Sequence, residues 1–255
     1  MIDIHSHILP NVDDGAETDT VALAMAQAAI QEGITHIVAT PHHMNRHYDN
    51  PKAEVLNKVD RLNERLQEAG IPLTVLPGQE IRVFGEFLEA YESGDLLTVD
   101  NQDQYVLIEF PTGHVPRYAE QLVYDLQIAG LTPVIVHPER NNRIIQDPDV
   151  LYNLIAGGAV SQVTAASLTG QFGRKLKKFS FDLVEHQLTH IIASDAHNTT
   201  TRAFHMRSAF EALEDAYGAS VRYIFEENSQ RLVEGNMINQ EPPSPVKTKK
   251  FLGLF

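Results

Sequence analysis

Histidine and carboxylate residues recur in short groups along this chain, and most groups follow an apolar run of the kind found in β-strands. The residues concerned are His5, His7, Asp14, His42, Glu80, Glu109, His137, Asp195 and His197. Imidazole and carboxylate groups are ligands that divalent zinc, manganese or iron accepts. Because the carboxyl ends of parallel strands meet at one edge of a sheet, we predict one polynuclear metal site and a metallohydrolase.

Two of these groups share one spacing. His5 and His7 are two residues apart after an apolar start, and Asp195 and His197 are two residues apart after 190–194. Alternate residues of a strand point to the same face, so each pair can serve one metal ion. A single pair of this kind also occurs as solvated or hydrogen-bonded side chains. Two such pairs, both at strand ends, favour the metal interpretation.

The acidic candidates differ in how strongly their surroundings indicate a site. Glu109 stands between Val106-Leu107-Ile108 and Phe110-Pro111, where an unpaired carboxylate would be costly and a metal ion would remove the cost. Glu80 follows Pro77-Gly78-Gln79, which we interpret as a tight turn after a strand. Asp14 lies in the segment 11–15, which is also typical of a plain acidic turn.

Two arginines lie close to these groups in the sequence. Arg140 follows His137, and Arg202 follows His197. Arginine is usually a surface residue, but beside a metal cluster a guanidinium group suits bidentate binding of phosphate oxygens. Metal ions together with these guanidinium groups predict a positive, phosphate-binding cleft.

Strand-like runs alternate with helical patterns, which is typical of a parallel sheet with crossover helices. The predicted strands cover about residues 2–5, 35–40, 72–77, 105–110, 132–137, 159–164 and 189–194, and the predicted helices cover 20–32, 52–69, 117–129, 147–156, 174–187 and 201–217. Seven βα units predict an α/β fold with a distorted TIM-like (β/α)7 barrel, and the candidate ligands follow every strand except the sixth. An open doubly wound sheet remains the alternative, because sequence does not show closure.

The length of 255 residues fits one barrel domain, which we place at 1–240. Residues 241–250 contain three prolines and three lysines, and an apolar Phe-Leu-Gly-Leu-Phe sequence closes the chain at 251–255. We interpret 241–255 as a Pro/Lys-rich C-terminal tail. It is either loosely docked or disordered, or a docking segment for the same or a neighbouring subunit.

Composition excludes several classes of function. The chain has no cysteine, so neither a disulfide framework nor a cysteine nucleophile exists. The start of the chain does not resemble a signal peptide, and no apolar run is long enough for membrane insertion, so we expect a cytoplasmic protein. A net charge of −14 without a long basic run argues against nucleic acid as a partner. The sequence is silent on oligomeric state.

Taken together, the motifs identify a family resemblance over essentially the whole chain. DIHSH at 3–7, TPHH at 40–43, GQE at 78–80, HPER at 137–140 and SDAH at 194–197 resemble the polymerase-and-histidinol-phosphatase (PHP) superfamily. Within it, HILPNVDDGA at 7–16 and IEFP followed by HVPRY at 114–118 resemble the manganese-dependent bacterial protein-tyrosine phosphatases. The resemblance implies the PHP fold.

The resemblance also implies a trinuclear site. His5, His7, Glu80 and Asp195 would hold one metal ion, Glu80, Glu109 and His137 a second, and Asp14, His42 and His197 a third. Arg140 and Arg202 match the catalytic positions that bind the substrate phosphate. His43 is not a ligand in the family, and we expect it to be hydrogen-bonded beside the site. The family implies three Mn²⁺ ions, although these ligands also admit iron, cobalt or zinc.

The implied activity is hydrolysis of protein phosphotyrosine by metal-activated hydroxide. The implied substrates are tails of tyrosine kinases of capsule or exopolysaccharide synthesis. The alternatives are a small-molecule phosphatase such as histidinol phosphatase, a PHP nuclease, which the acidic charge disfavours, and a non-catalytic metal-binding module that regulates another enzyme. The intact ligand set and both arginines argue against the last of these.

Overall fold

A computed structural model describes residues 1–246, which form a parallel α/β fold. The strands are β1 (Ile2–Ser6), β2 (His36–Ala39), β3 (His42–His43), β4 (Thr74–Pro77), β5 (Glu80–Arg82), β6 (Tyr105–Glu109), β7 (Thr132–Val136), β8 (Val160–Thr164) and β9 (Ile191–Ala193). The helices are α1 (Asp19–Glu32), α2 (Lys52–Glu68), α3 (Phe87–Glu92), α4 (Ala119–Ile128), α5 (Asn142–Gln146), α6 (Asp149–Ala156), α7 (Ala165–Thr169), α8 (Arg174–Glu185), α9 (Met206–Tyr217) and α10 (Ala219–Val233).

All strand pairs are parallel, and they divide into two sheets. One sheet has the order β1-β2-β4, and the other has the order β3-β5-β6-β7-β8-β9. The last strand returns to the first through an isolated parallel bridge between Ser6 and Ala196 and through a hydrogen bond from Asp195 N to His5 O (2.9 Å). The predicted α/β class is therefore confirmed. A barrel that is closed by continuous pairing stays a prediction.

Two short strands were not expected. β3 and β5 each follow an earlier strand, β2 and β4, after a two-residue break, and they pair with each other. The predicted turn before Glu80 is therefore only part of the local structure, because Glu80 begins β5. The break moves His42 and Glu80 into the second sheet, where His42 lies directly opposite Glu80 in the register. This register brings two candidate ligands together.

Six helices follow the predicted apolar patterns, and their ends have local causes; these are α1, α2, α4, α6, α8 and α9. The side chain of Thr18 accepts a hydrogen bond from Val21 N at the start of α1, and Gly33 ends this helix with φ 89. The helices α3, α5, α7 and α10 were not predicted. Among residues 1–246, no helix combines the length and the apolar character that crossing a membrane requires.

α10 and the segment after it close the amino ends of the strands. A second buried cluster there contains Ile4, Val38, Leu107, Val134 and Leu232. The Tyr105 hydroxyl donates to Asn236 O (2.8 Å) and accepts from Ile238 N (3.2 Å), which fixes the segment across this cluster. Apolar side chains therefore pack at the amino ends of the strands, and the polar groups lie at the carboxyl ends.

The beginning of the predicted tail contacts the rest of the chain. Ser244 N donates to His186 O at the end of α8 (2.9 Å), and Val246 packs against the main core. The larger part of the tail, 247–255, lies outside the described residues. The division of the chain at residue 240 therefore stays a prediction.

Candidate metal centre

The strands deliver the candidate ligands to one end of the fold. His5 lies in β1, His42 in β3, Glu80 at the start of β5 and Glu109 at the end of β6. His137 and Asp195 follow β7 and β9, and both adopt positive φ values of 36° and 51°. Positive φ in non-glycine residues costs free energy and concentrates at functional sites. The backbone thus turns sharply at two strand ends to aim these side chains.

The first group of side chains surrounds a point between β1, β5 and β9. His5 Nε2 and His7 Nε2 lie 3.5 and 3.3 Å from Glu80 Oε2, and 3.6 and 3.3 Å from Asp195 Oδ1. A tetrahedral ion with bonds of about 2.1 Å needs neighbouring ligand atoms about 3.4 Å apart. These spacings suit a shared metal ion and exceed a good direct hydrogen bond.

The predicted third set also converges. Asp14 Oδ1 lies 3.4 Å from His42 Nε2 and 3.3 Å from His197 Nε2. His7, Asp14, His42 and His197 form one group whose ligand atoms all lie within 4.8 Å of one another. Asp14 is the most exposed of the candidates, with 43% of its side chain accessible. The turn at 11–15 therefore contributes to the site instead of being only an acidic loop.

The predicted second set is arranged differently. His137 Nε2 forms a direct contact of 2.6 Å with Glu80 Oε1, whereas the group able to hold an ion comprises His42, Glu80 and Glu109. His42 Nδ1 is 2.8 Å from Glu80 Oε2 and 3.8 Å from Glu109 Oε2. Both ring nitrogens of His42 thus face carboxylates. The assignment of His137 as a ligand of the second ion stays a prediction.

Unpartnered buried atoms show that the donor set fits metal ions. Several side-chain atoms among the described residues are fully buried and form no hydrogen bond of good geometry, and those at the centre are His5 Nε2, His7 Nε2, His42 Nδ1, Glu80 Oε2, Glu109 Oε2 and His197 Nε2. Glu109 Oε2 has a charged neighbour in Arg82, and His42 Nδ1 has one in Glu80. Leaving one buried polar atom unpaired costs about 1–3 kcal/mol. Such atoms concentrated at one point are explained if they coordinate cations.

The opposite nitrogens of three histidines are fixed by acceptors that sequence reasoning missed. His7 Nδ1 donates to Asp13 Oδ2 (2.6 Å), and His5 Nδ1 donates to Gln162 Oε1 (3.0 Å). His197 Nδ1 donates to the carbonyl oxygen of Asp195 (3.0 Å). This arrangement leaves each Nε2 with its lone pair toward the centre, as metal-binding histidines require. The sixth strand, β8, therefore also serves the site through Gln162.

Asp13 has a second contact that links two groups of the centre. Its Oδ2 also accepts from His42 N (3.1 Å), and its Oδ1 accepts from Gly15 N (3.0 Å). Gly15 lies so close to the backbone of His7 that an added Cβ would be 2.1 Å from His7 O. The DDG sequence thus combines one orienting carboxylate, one candidate ligand and one position that admits only glycine. Its doubled acidic residue was the signal available in the sequence.

A buried carboxylate behind the centre holds the strand end that carries Asp195. Asp3 accepts from Ser194 N (2.9 Å) and from the Ser194 hydroxyl (2.5 Å). Burial raises the pKa of Asp3 to about 6, although hydrogen bonds from Ser194 oppose this shift. Asp3 alternates with His5 along β1, and this polar alternation in an apolar strand was the available signal.

Both predicted phosphate-binding arginines lie at the centre. Arg140 Nη2 is 2.6 Å from Asp195 Oδ2, and Arg202 Nη2 is 3.2 Å from the same oxygen. Arg202 Nη1 is also 3.2 Å from Asp14 Oδ2. A third arginine, which was not predicted, contacts Glu109: Arg82 Nη2 is 2.8 Å from Glu109 Oε2. His43 faces away, and its Nδ1 accepts from Asn50 N (3.2 Å), as expected for a residue beside the site.

The pKa values of the side chains at the centre are shifted in different directions. Burial and the charge of Glu80 raise the pKa of Glu109 to about 7. Burial lowers the pKa of His42, but Glu80 and Asp14 outweigh it and raise the value to about 10. Burial and the charge of His7 lower the pKa of His197 to about 4. The carboxylates and imidazoles of the centre are thus close enough to shift the pKa values of one another. Bound cations would take the place of the protons that these groups share.

A cleft opens from the centre to the surface. It has a volume of about 310 Å³, and Phe110, Thr112, Pro138 and Asn141 line it together with the candidate ligands and both arginines. Its floor therefore holds the metal-binding groups, and its walls include apolar and hydrogen-bonding side chains. This combination suits a phosphomonoester with an apolar leaving group.

Comparison with known proteins agrees with this geometry. The chain is 51% identical to tyrosine-protein phosphatase YwqE of Bacillus subtilis and 38% identical to CapC of Staphylococcus aureus, in both cases over the full length of both chains. It also matches a chain from the crystal structures of YwqE and of CpsB from Streptococcus pneumoniae, described as metal-dependent tyrosine phosphatases. That match has a TM-score of 0.95 and 51% identity, and covers 97% of this chain and 100% of the other.

The family assignment rests on most of the chain and includes every residue of the centre. Residues 1–234 match the family described as capsular polysaccharide synthesis, CpsB/CapC. This range ends one residue after α10, so the fold and the candidate ligands all lie within it. The chain belongs to the CpsB/CapC family.

Proposed function

We propose that the protein is a metal-dependent protein-tyrosine phosphatase. The observation that carries this proposal is the convergence of unpartnered imidazole and carboxylate atoms with two arginines in one cleft. A hydrolase of this kind needs cations and guanidinium groups where phosphate charge develops. The relationship to YwqE, which is named a tyrosine-protein phosphatase, supports phosphotyrosine as the substrate class.

We assign the metal-binding role to nine residues, His5, His7, Asp14, His42, Glu80, Glu109, His137, Asp195 and His197. The proposed cofactor is three Mn²⁺ ions, and iron, cobalt or zinc would suit the same donors. When bound, such ions lower the pKa of water toward neutrality and offset phosphate charge. The proximity of all three groups of atoms, which share Glu80 or His7, supports a polynuclear arrangement.

The side chains of the cleft supply binding and orientation. Arg140 and Arg202 would hold phosphate oxygens, because their guanidinium groups point into the cleft and stay partly accessible, at 24% and 33%. Asp13 and Gln162 would keep His7 and His5 in the orientation that presents Nε2 to the ions. A tyrosine leaving group has a pKa of about 10, so it departs with less proton assistance than a serine alkoxide.

We further propose that the physiological substrate is the phosphotyrosine tail of a bacterial tyrosine kinase of capsule or exopolysaccharide synthesis. The family description, which names capsular polysaccharide synthesis, supports this assignment. The expected place of action is the cytoplasm, where such a kinase tail would be reached.

The proposal is tested by steady-state turnover of three substrates under identical conditions with Mn²⁺. These are a phosphotyrosine peptide, the matched phosphoserine peptide and histidinol phosphate. We expect the highest kcat/KM for the phosphotyrosine peptide. A higher value for histidinol phosphate would keep the chemistry but assign the protein as a small-molecule phosphatase. Absence of turnover for all three would leave only a non-catalytic metal-binding role.

A further inference from the structure

An unusually basic surface lies beside the cleft of this acidic protein. The chain carries a net charge of −14, yet residues 150–181 contain no Asp or Glu. The same stretch contains Arg174, Lys175, Lys177 and Lys178, all in the first part of α8. Lys178 pairs with Asp182 at 2.6 Å. Among residues 1–246, the other three cations form no ion pair with a carboxylate.

This surface is connected to the cleft by direct packing. α8 packs against the turn 138–140, which carries Arg140. The guanidinium carbon of Arg140 lies 5.9 Å from the ring centre of Phe172, a cation–π distance. Phe172 is 36% exposed and is only two residues from Arg174. Phe172 thus connects Arg140 to the start of the basic helix, because two residues of chain span at most about 7 Å.

Two of the three unpaired cations, Arg174 and Lys175, are exposed, and the third, Lys177, is half-buried. Arg174 and Lys175 are exposed at the start of α8, while the apolar face of this helix buries Phe179 and Leu183. The stem of Lys177 lies near Gly170, and its ammonium lies 5.9 Å from the Phe181 ring. The helix is therefore held in place by apolar contacts, and the charges of Arg174 and Lys175 face outward, with the half-buried Lys177 beside them.

We propose that Phe172, Arg174, Lys175 and Lys177 form a docking strip for anionic residues that flank the phosphotyrosine of a substrate. This inference rests on the proposed function and adds the sequence preference of its substrate. The flanking anion is a carboxylate or a second phosphate group. In an extended peptide each residue advances about 3.3 Å, so the strip would meet side chains two to four positions from the phosphotyrosine.

Screening explains how a local strip acts on a protein of opposite overall charge. At 0.1 M salt the Debye length is about 10 Å, so most of the −14 charge is screened from a peptide in the cleft. The nearby strip is not screened to the same extent. An anionic membrane would be a different partner for a basic helix, but a surface that is acidic overall disfavours a flat anionic bilayer, and Phe172 is engaged with Arg140.

The test compares three phosphotyrosine peptides that differ only in their flanks: Gln, Glu, or an additional phosphotyrosine. The proteins are the natural chain, the variant Arg174→Gln/Lys175→Gln/Lys177→Gln, and a control that neutralises three cations of α2, Lys58→Gln/Arg61→Gln/Arg65→Gln. The readout is the ratio of kcat/KM for each anionic peptide to that for the Gln peptide, with Mn²⁺ at 0.1 M salt and again at higher salt. Using a ratio within each protein removes differences in metal content.

For the natural chain and the α2 control we expect ratios of about ten, since exposed charge pairs contribute up to about 1 kcal/mol each. The α8 variant should show a ratio near one, and salt should reduce the ratio of the natural chain. A preference for only the Glu peptide, or for only the diphosphorylated peptide, would support the proposal and identify the flanking anion as a carboxylate or as a phosphate. A ratio near one in the natural chain, or an unchanged ratio in the α8 variant, would overturn the proposal.

Two further outcomes are informative. If no peptide is turned over, the proposed function fails, and the strip is then tested by fluorescence anisotropy with the same peptides and the same expected ratios in Kd. Vesicles of phosphatidylcholine with 30% phosphatidylserine provide the membrane arm. Binding to these vesicles that is lost in the α8 variant, without a peptide preference, would assign the strip to a membrane and overturn the proposal.

Discussion

At the carboxyl ends of the strands, buried histidines donate Nδ1–H to oxygen acceptors, whereas at the amino end of β9 His190 accepts a backbone N–H. His7 donates to Asp13 and His5 to Gln162, while His190 Nδ1 accepts from Ser161 N (3.2 Å). Gln162 and Ser161 are adjacent in β8, so one strand supports both kinds of histidine. We propose that the partner of Nδ1 distinguishes the candidate ligands His5 and His7 from the structural histidine His190.

The pKa of His7 differs in the same way from those of His190 and His43. Burial lowers the pKa of His7, but the charge and hydrogen bond of Asp13 outweigh it and raise the value well above normal. Burial alone lowers the pKa of His190 to about 4. His43, whose Nδ1 also accepts a backbone N–H, has a lowered pKa because of burial. His7 thus faces a carboxylate that favours a positive charge beside it, whereas burial keeps His190 and His43 neutral.

Removing the charge of Glu80 gives the largest expected effect. Its Oε2 lies 2.8–3.5 Å from nitrogens of three histidines, so Glu80→Gln weakens every group that shares it. We expect a loss of kcat/KM of about a thousandfold, with reduced bound metal measured by mass spectrometry. Glu89→Gln, an exposed carboxylate on α3, is the control. Full metal content and activity within tenfold of the natural chain would contradict the central position of Glu80.

Asp13→Asn tests the role of the orienting carboxylate. An amide can still accept from Gly15 N, but it cannot supply the charge that faces His7 Nδ1. We expect metal affinity to fall by about 10–100-fold in a competitive chelator titration. Asp49→Asn is a matched control, because Asp49 also faces a histidine Nδ1, that of His43 at 3.1 Å, but is 73% exposed. Equal effects of both substitutions would remove the distinction between the two kinds of histidine.

His190 provides a prediction on pH and stability. Its pKa in the folded protein is about 4, below the usual 6.5, so the unfolded chain binds its proton first as the pH falls. Stability from this residue is present above pH 6.5 and is lost progressively toward pH 4. Between pH 7 and pH 5 we expect His190 to account for about 2 kcal/mol of the lost free energy of unfolding, measured by urea unfolding. The variant His190→Gln should lose less by that amount, and an identical pH dependence in both proteins would contradict this account.

Tyr105→Phe gives the smallest expected effect and separates the two ends of the fold. The substitution removes the hydroxyl that bonds Asn236 O and Ile238 N. We expect the free energy of unfolding to decrease by about 1–2 kcal/mol with metal content and kcat/KM unchanged. A fall in metal affinity as large as that of Asp13→Asn would show that the amino end also controls the centre.

Much of this architecture could be predicted from the sequence, for identifiable reasons. Apolar runs and helical apolar patterns arise because these side chains are buried. The predicted bounds of β1 and α2 therefore agree with the structure to within a few residues. β3 and β5 were missed because two- and three-residue strands have no detectable alternation. α10 was missed because its apolar pattern is weak, with buried polar residues such as Asn228 and Ser229 inside it.

Some residues of the candidate site could also be predicted from the sequence, and others could not. His137 and Asp195 were found because a polar residue that closes an apolar run stands out in the sequence. Gln162 was missed because its partner, His5, is 157 positions away, and sequence does not report such contacts. Asp13 lies within the HILPNVDDGA motif. Nothing in the sequence shows which of the two neighbouring carboxylates orients a histidine and which faces the centre. Side-chain partners, not residue types, carry that information.

We propose that metal ions held at the carboxyl ends of the strands are required for phosphotyrosine hydrolysis. The direct measurement is a titration of Mn²⁺ into chelator-treated protein, with bound metal and kcat/KM for a phosphotyrosine peptide recorded on the same samples. We predict no turnover without metal and an increase in kcat/KM that follows occupancy. Full turnover in protein from which metal has been removed would contradict the account.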